Sequence, residues 1–421
     1  DDPANQVVCN GFNTTAVNFA SVFNVVGTSF AWTADANAVS IGYLASGNTS
    51  TPSIAAVNNS NAPVIGTITV TPSANGCPGS SHSFTVTVNP TPAAPTVGVV
   101  LNCNGTATLT ASGYTGTLLW STSETTPSII VNVDGTYTVT QTELGCTSPV
   151  GSGLVTLLTN SGTWYVNGTT GNDNNIGSAS CPVATVGKAI MLASNTDVIN
   201  VAAGTYTGNI IVNKDLTLKG AQFGVPCNGR SGSETIISGT GPSGTIAVRI
   251  ESVGVTLDGF TITNVGGSYG VYNKGYSDAA IQNNIITNIG NNTTGSGASY
   301  GIAIEMGSAA HMSNVTIDNN CVSDIRGGNN TSLSGLAAKA NNGSGVAIGA
   351  GFSNANFDIN SLTVSCNTIN NISASALDFN DGGKGAYGVL INVGASAGGV
   401  GKANAPLVSN NTITNLSGFW S

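Results

Sequence analysis

Five nine-residue stretches of this 421-residue chain agree place by place: "LDGFTITNV" (257–265), "IQNNIITNI" (281–289), "IDNNCVSDI" (317–325), "VSCNTINNI" (364–372) and "VSNNTITNL" (408–416). The first, sixth and ninth places are aliphatic in every copy, and the fourth is Phe260 once and then Asn284, Asn320, Asn367 and Asn411. A second phrase alternates with the first: "SYGVYNKG" (268–275), "SYGIAIEMG" (299–307), "GSGVAIGAG" (343–351) and "AYGVLINVG" (386–394). One repeating unit therefore holds two short strands. The units are spaced by 24, 36, 47 and 44 residues, as expected of fixed strands joined by loops of free length. Period-2 patterning with no helical periodicity between the phrases predicts strands stacked on equivalent strands, a parallel β-helix. An inward Asn repeated in register can pair its amide with the coils above and below, supplying partners to turn backbone that would otherwise be buried unpaired.

Only 7% of the residues are charged, and no Lys or Arg precedes Lys188, whereas seven acids do. Nucleic acids and anionic membranes need clustered cations, so neither is an expected partner of that half. No 18-residue apolar run is present, so no membrane insertion is expected. The eight cysteines fall in sequence as local couples without C-x-x-C spacing, which argues for disulfides and against zinc. The expected bonds are Cys9–Cys77, Cys103–Cys146 and Cys181–Cys227, with Cys321–Cys366 a fourth candidate offset along its strand. The chain opens on "DDPANQ" without Met, as expected of a mature product or a piece of something larger.

Three modules are expected along the chain, 1–90, 91–158 and 159–421, the last expected to continue beyond residue 421. The first two alternate in the β manner, as in "GTITVTP" (66–72), "SFTVTVNP" (83–90) and "GTYTVTQT" (135–142), and suit small antiparallel sandwiches joined by a stiff "NPTPAAP" (89–95). Trp32 and Trp120 each lie between two cysteines and are expected to pack against a disulfide. In the third module "TVGKAIMLA" (185–193) reads as a helix with Thr185 as N-cap, placed to plug the first coil. After Leu416 only "SGFWS" remains, so either further coils or another chain is expected to cover the last one.

The run "GNDNN…PVATVGKAI…DVINVAAGTYTGNIIVNKDLTLKG", with the coils from 257 onward, resembles the right-handed parallel β-helix proteins of the pectin-lyase-like superfamily over about 260 residues. Residues 1–158 resemble the PKD-like and Ig-like repeats of very large Bacteroidota surface proteins, on "VVCNG", "FAWTADANAVSIG", "ITVTPSANGCPG", "FTVTVNPTP" and "LLWSTSETTPSI…GTYTVTQTELGCTS". This resemblance implies an all-β secreted protein, exported by the type IX route to the cell surface, with a role in adhesion or appendages.

Enzymes on this fold use carboxylates, or calcium with a basic residue, on the outer face of the coils. The N-T-D, D-D, G-H-G and R-I-K blocks of polygalacturonase-like members are absent, and 159–421 holds only three Arg: Arg230, Arg249 and Arg326. If the chain were a lyase or hydrolase of polysaccharides, the best cluster is Asp258, Glu305, His311, Asp318 and Arg326. Asp258 and Asp318 share the second place of their units two coils apart, roughly 10 Å at ~4.8 Å per strand, with Gln282 between. Solvated surface acids are the simpler account, and no cofactor is expected, calcium not being indicated. Tyr269, Tyr300 and Tyr387 stand two places before Val271, Ile302 and Val389, so period 2 predicts an internal aromatic stack; Tyr272, Ala303, Ala347 and Leu390 are then outward, on a face that wants a cover. Loops that lengthen down the stack, "RGGNNTSLSGLAAKANN" (326–342) and "SASALDFNDGGKG" (373–385), make Arg326, Asn329, Asn330, Lys339, Asp378, Asp381 and Lys384 the binding candidates. The expected function is a non-enzymatic extracellular adhesin or appendage component, with other copies of the same surface protein, glycans or a target cell as partners; a self-assembling filament subunit is a further reading.

Overall fold

The computed structural model describes residues 3–21, 25–242, 244–290, 298–304, 311–327, 345–350, 358–373, 386–391, 402–404 and 406–417. The chain forms two compact units, Asp1–Leu158 and Thr159–Ser421.

The first unit opens with a sheet in the order Gln6–Cys9, His82–Asn89, Val64–Ala74, Thr28–Ala34, Ser46–Gly47, with Cys77–Pro78 also paired to Val64–Ala74. Gln6–Cys9 runs parallel to His82–Asn89 and the remaining pairs are antiparallel. Alternation turns Ile68, Val70, Phe84, Val86 and Val88 inward beside Trp32. Against them packs a helix that periodicity is too short to reveal, α1 (Ala36–Ser40), whose first turn is held by Asp35 Oδ1 accepting from Ala38 N at 2.6 Å. Gly66 makes room for it: a Cβ there would lie 2.5 Å from Ala38 Cα. Farther along, Ser128–Val131, Ala107–Ser112 and Thr96–Leu101 form one small sheet, and Cys146–Thr147, Gly135–Glu143, Gly151–Val155 and Thr117–Trp120 another. Trp120 is buried between them and donates Nε1–H to Thr126 O at 2.9 Å.

The disulfides differ from the expected set. Cys9 bonds Cys146, not Cys77, and Cys77 is a free, exposed thiol. The cause is the parallel strand Gln6–Cys9: it delivers Cys9 to the end of the sheet where the 143–146 turn arrives, and Asn89 Nδ2 donates to Leu144 O at 2.8 Å there. Within this unit the bridge thus ties two modules together instead of strapping each one. Cys103 and Cys181 are both disulfide-bonded, although their expected partners Cys146 and Cys227 are taken elsewhere. Cys227 bonds Cys321, and Cys366 is free and exposed.

The second unit is a parallel β-helix of three sheets. Sheet I stacks Thr163–Val166, Asp197–Val201, Leu216–Lys219, Thr256–Asp258, Ala280–Gln282, His311–Asp318 and Asp358–Ser365, ending on Lys402–Asn404 and Leu407–Ser409. Sheet II runs from Gly204–Thr207 through Thr235–Ser238, Phe260–Asn264, Ile285–Ile289, Cys321–Arg326 and Thr368–Ser373 to Thr412–Ile413, and sheet III from Ile210–Val212 to Ala386–Ile391. A continuous core runs inside, with Leu257, Ile281, Ile317 and Val364 from sheet I over Ile262, Ile286, Val322 and Ile369 from sheet II. Helix α2 (Val186–Leu192) covers its start, burying Val186, Ala189 and Ile190. Thr185 Oγ1 accepts from Lys188 N at 3.2 Å, and Lys214 Nζ donates to the carbonyls of Ile190 (2.8 Å), Met191 (2.8 Å) and Ala193 (2.5 Å), closing the C-terminal turn with a cation.

The fourth-place Asn residues form the expected ladder. Asn284 N donates to Asn320 Oδ1 and Asn320 N to Asn367 Oδ1, both at 2.9 Å, and Asn367 N to Asn411 Oδ1 at 3.0 Å. Each Nδ2 also reaches back to a carbonyl of the preceding coil, as Asn320 does to Ile281 O at 2.8 Å. Two further polar columns escaped the reading. Third places Asn283, Asn319, Cys366 and Asn410 and eighth places Asn288, Asp324, Asn371 and Asn415 all hold φ between 51° and 56°, the left-handed turn that Asn and Asp tolerate best. The ninth place fails once: a register shift pairs Asn264, not Val265, with Ile289, so Asn264 is buried and Val265 is half exposed. At the far end, inward places Val408 (48%), Ile413 (43%) and Leu416 (44%) are exposed; Phe419 and Trp420 lie outside the described residues.

Candidate functional site

Sheet I presents one outward polar column, in register from Tyr165 through Asn200, Lys219, Asp258, Gln282, Asp318 and Ser365 to Ser409. Asp258 and Asp318 are thus two rungs apart with Gln282 between them. Neither is a solvated surface acid. Asp258 is 2% exposed; its Oδ1 accepts from Gly224 N (3.0 Å) and Asn283 Nδ2 (3.0 Å), and its Oδ2 from Gln282 Nε2 (3.0 Å). Asp318 is half-buried and accepts from Ser365 Oγ and Asn319 Nδ2, each at 2.6 Å.

What covers Asp258 is an excursion, residues 220–234, that leaves sheet I and lies over the coils. Arg230 anchors it: Nη1 donates to Glu234 Oε2 (2.7 Å) and Phe260 O (3.2 Å), and Nη2 to Asn283 O. Burial pushes the Arg230 guanidinium down from its ordinary value, and Glu234 and Asp258 pull it back. Cys227 N donates to Asn319 O at 3.3 Å and its sulfur meets Cys321, which points outward from sheet II. The one charged cluster of this segment therefore fastens a loop. Sequence reading did not single out Arg230 and Glu234, because they lie in an irregular stretch where spacing does not encode contact.

Arg326 sits apart, exposed at the end of its sheet II strand beside Asp324, Asn371, Ser373 and Asn415, around a hollow of about 630 Å³. Glu305, Asn329, Asn330, Lys339, Asp378, Asp381 and Lys384 lie outside the described residues, as does the side chain of His311.

The tyrosines correct the expectation of an internal stack. A Cβ on Gly270 would lie 2.7 Å from Ile286 Cγ2, so Gly270 faces the core and Tyr269 faces out. Sheet III carries two successive inward places, a small residue then an aliphatic one (Gly270 and Val271, Ala347 and Ile348), and this break in alternation defeats a strict period of 2. Ala347 is accordingly a core residue, in register between Gly301 and Gly388, not an outward one. Tyr269 and Tyr300 stack at 5.2 Å and 9°, and Tyr272 meets Tyr269 edge-on at 5.2 Å and 74°. Tyr387 occupies the same column two rungs on, past Val346. Because the stacked rings spend their faces largely on each other, this column ties coils together.

A second aromatic grouping lies at the start of sheet I. Lys219 Nζ sits 4.3 Å from the ring centroid of Phe223, and a hollow of about 410 Å³ opens above Tyr165, Asn200 and Lys219. The first unit has an apolar groove of about 540 Å³ lined by Phe19, Phe30, Val70 and Pro72, with Cys77 on its border. Among the described residues no group of three or more metal-ligating side chains occurs, and no helix is long and apolar enough to cross a membrane.

Residues 6–92 match the family model of the PKD-like domain. No curated protein matches the chain. Among solved structures it is similar to a rhamnogalacturonan lyase, at 14% identity and a TM-score of 0.24 over 59% of this chain and 87% of that one. It is also similar to the SGBP-B protein of the Bacteroides ovatus mixed-linkage glucan utilization locus, solved in complex with a mixed-linkage heptasaccharide, at 15% identity and a TM-score of 0.14 over 40% of this chain and 45% of that one.

Proposed function

We propose that this chain is a non-enzymatic attachment module of an extracellular surface protein, an adhesin or appendage in which a PKD-like domain precedes a β-helix. The engagement of Asp258 and Asp318 carries the reading. A carboxylate that transfers protons or attacks a sugar must face substrate with a free oxygen. Here both serve as acceptors for neighbouring turn amides and hydroxyls, and Asp258 lies under a loop fastened by a disulfide and a buried ion pair. The remaining design suits exposure outside the cell: six of the eight cysteines are disulfide-bonded, and few charges invite non-specific contacts.

The test is to incubate the protein with a panel of polysaccharides, assaying both retention on the insoluble ones and release of reducing or unsaturated ends. Retention without release is expected. Release that disappears in Asp318→Asn would reassign the chain to the polysaccharide-degrading enzymes.

A further inference from the structure

We infer that the hollow above Tyr165, Asn200 and Lys219 binds one anionic sugar residue, a pyranose carrying a carboxylate or a sulfate ester. The inference rests on the attachment reading and gives it a place on the molecule. Three consecutive outward rungs form the floor, Tyr165 beside Asn200 and Asn200 beside Lys219. At ~4.8 Å per rung they span about 10 Å, enough for a pyranose and its substituents. Ala179, Pro182, Ala221 and Phe223 complete the lining of a hollow of about 410 Å³.

The lining combines three chemistries. Phe223, 46% exposed despite its size, and the half-buried Tyr165 offer aromatic surface to the C–H face of a sugar ring. The Asn200 amide can both donate to and accept from ring hydroxyls, and no partner engages it among the described residues. The Lys219 ammonium is held over Phe223 and makes no hydrogen bond or ion pair among the described residues. The next rung, Asp258, could have neutralised it, yet that carboxylate is turned to Gly224, Gln282 and Asn283. With only 10 Lys and Arg in 421 residues, this positive charge beside exposed aromatic rings marks a preference. An apolar ligand would leave Lys219 and Asn200 unpaired, and a neutral sugar, whose oxygens can accept from Lys219, would still leave its charge uncompensated. A nucleotide would want the forked guanidinium or backbone N–H groups that hold phosphates, which this floor does not offer.

The probes are three trisaccharides alike except at the terminal residue: glucuronate, a 6-sulfated glucose, and glucose. Titrated into the whole chain and followed by calorimetry, one or both anionic sugars are expected to bind at least tenfold more tightly than the neutral one, and less tightly as salt rises. The difference between carboxylate and sulfate arms names the group. Lys219→Gln should bring the anionic sugars to within threefold of the neutral one, and Phe223→Leu, which keeps the charge, should weaken all three. An unchanged thermal transition in both variants is the folding check. Failure of every probe to bind, or Lys219→Gln binding the anionic sugars as tightly as the parent, overturns the site; retention of the parent protein on polysaccharides in that event leaves the attachment reading standing.

Discussion

The two units solve the problem of stability in opposite ways. Asp1–Leu158 assembles short antiparallel sheets around two small clusters of buried side chains, one near Trp32 and one near Trp120, and links distant points of its chain by Cys9–Cys146, 137 residues apart. Thr159–Ser421 has a single core threading coil after coil, with polar turns satisfied in register by neighbours above and below. Stability in the first is concentrated in a few connections. In the second it is spread along a repeat, so that each coil is supported by the next. A single chemical change should therefore hurt most where stability is concentrated and least where it is spread along the repeat.

The largest effect is expected from the double change Cys9→Ser, Cys146→Ser. Closing a loop of that length is worth about 5 kcal/mol by the chain-entropy estimate, comparable to the total stability of a small domain. Calorimetry should show the transition of the first unit collapsing to low temperature while that of the β-helix stays. Removing Cys227–Cys321 takes away a bond of similar nominal worth, but from a unit with a much larger core, and should lower its transition without abolishing it. If both units lose cooperativity equally, the contrast between concentrated and distributed stability is wrong.

Second in size is Asn320→Leu. The side chain accepts from Asn284 N (2.9 Å) and Asn284 Nδ2 (3.1 Å) and donates to Ile281 O (2.8 Å) in an interior with 0% exposure. Leucine orphans a buried N–H and a buried carbonyl, a cost of about 4 kcal/mol at 1 to 3 for each. Chemical denaturation of the β-helix reads it, and a loss below 1 kcal/mol would show that the ladder is incidental to the stack.

That ladder was legible in the sequence, because Asn at one fixed place in four of the five copies needs only the repeat to be interpreted. So were the parallel β-helix itself, helix α2 with its Thr185 cap, and the inward aliphatics of sheets I and II; the third sheet was not, because two strands per unit were expected and the left-handed third place divides the nine-residue phrase between sheets I and II. What escaped was whatever depends on contacts that sequence distance does not encode. Cys9 meets Cys146 because a parallel strand carries it there, and Cys227 meets Cys321 because residues 220–234 leave the coil and return over it. Neighbours in sequence were the natural guess, and in a solenoid or a strand-swapped edge they are a poor one. The tyrosines were misplaced for a local reason, one extra inward residue per sheet III strand that shifts the phase by one. Of the candidate chemistry, the rung positions of Asp258 and Asp318 could be read from the repeat, whereas their burial could not, since the covering loop lies outside it. The Tyr165, Asn200 and Lys219 row could have been found by extending the repeat upstream to strands whose sequences no longer match it.

A third prediction follows from that phase shift. Gly301 faces the core of sheet III, and a Cβ would lie 2.7 Å from the backbone carbonyl of Ala347. Gly301→Val should therefore destabilise the β-helix by roughly 2 kcal/mol through overpacking. Tyr300→Ser, which removes one stacked ring from the outer face, should cost only about 1 kcal/mol. Were the costs reversed, Tyr300 would be the inward residue after all.

The smallest effect separates the units by pH. Desolvation works to raise the Asp35 carboxyl, but the N–H groups of Ala38, Thr67 and Asn37, with the Thr67 hydroxyl, outweigh it and hold the carboxyl below its ordinary value of 3.8. A depressed carboxylate pKa stabilises the folded state above the unfolded pKa, and the contribution disappears as pH falls through the folded one. Because Asp35 is exposed and its protonated carboxyl still offers a capping oxygen, the first unit should then lose only a few tenths of a kcal/mol, about the worth of a screened surface charge, as pH drops below about 4. The amides of the β-helix ladder do not titrate and impose no such dependence on the second. Asp35→Asn keeps a capping oxygen while removing the charge, so it should flatten the acid limb of the first transition and leave its neutral-pH midpoint nearly unchanged. An acid limb as steep in Asp35→Asn as in the parent would move the titrating group away from α1, and the acid sensitivity of this unit would have to be sought in its other carboxylates.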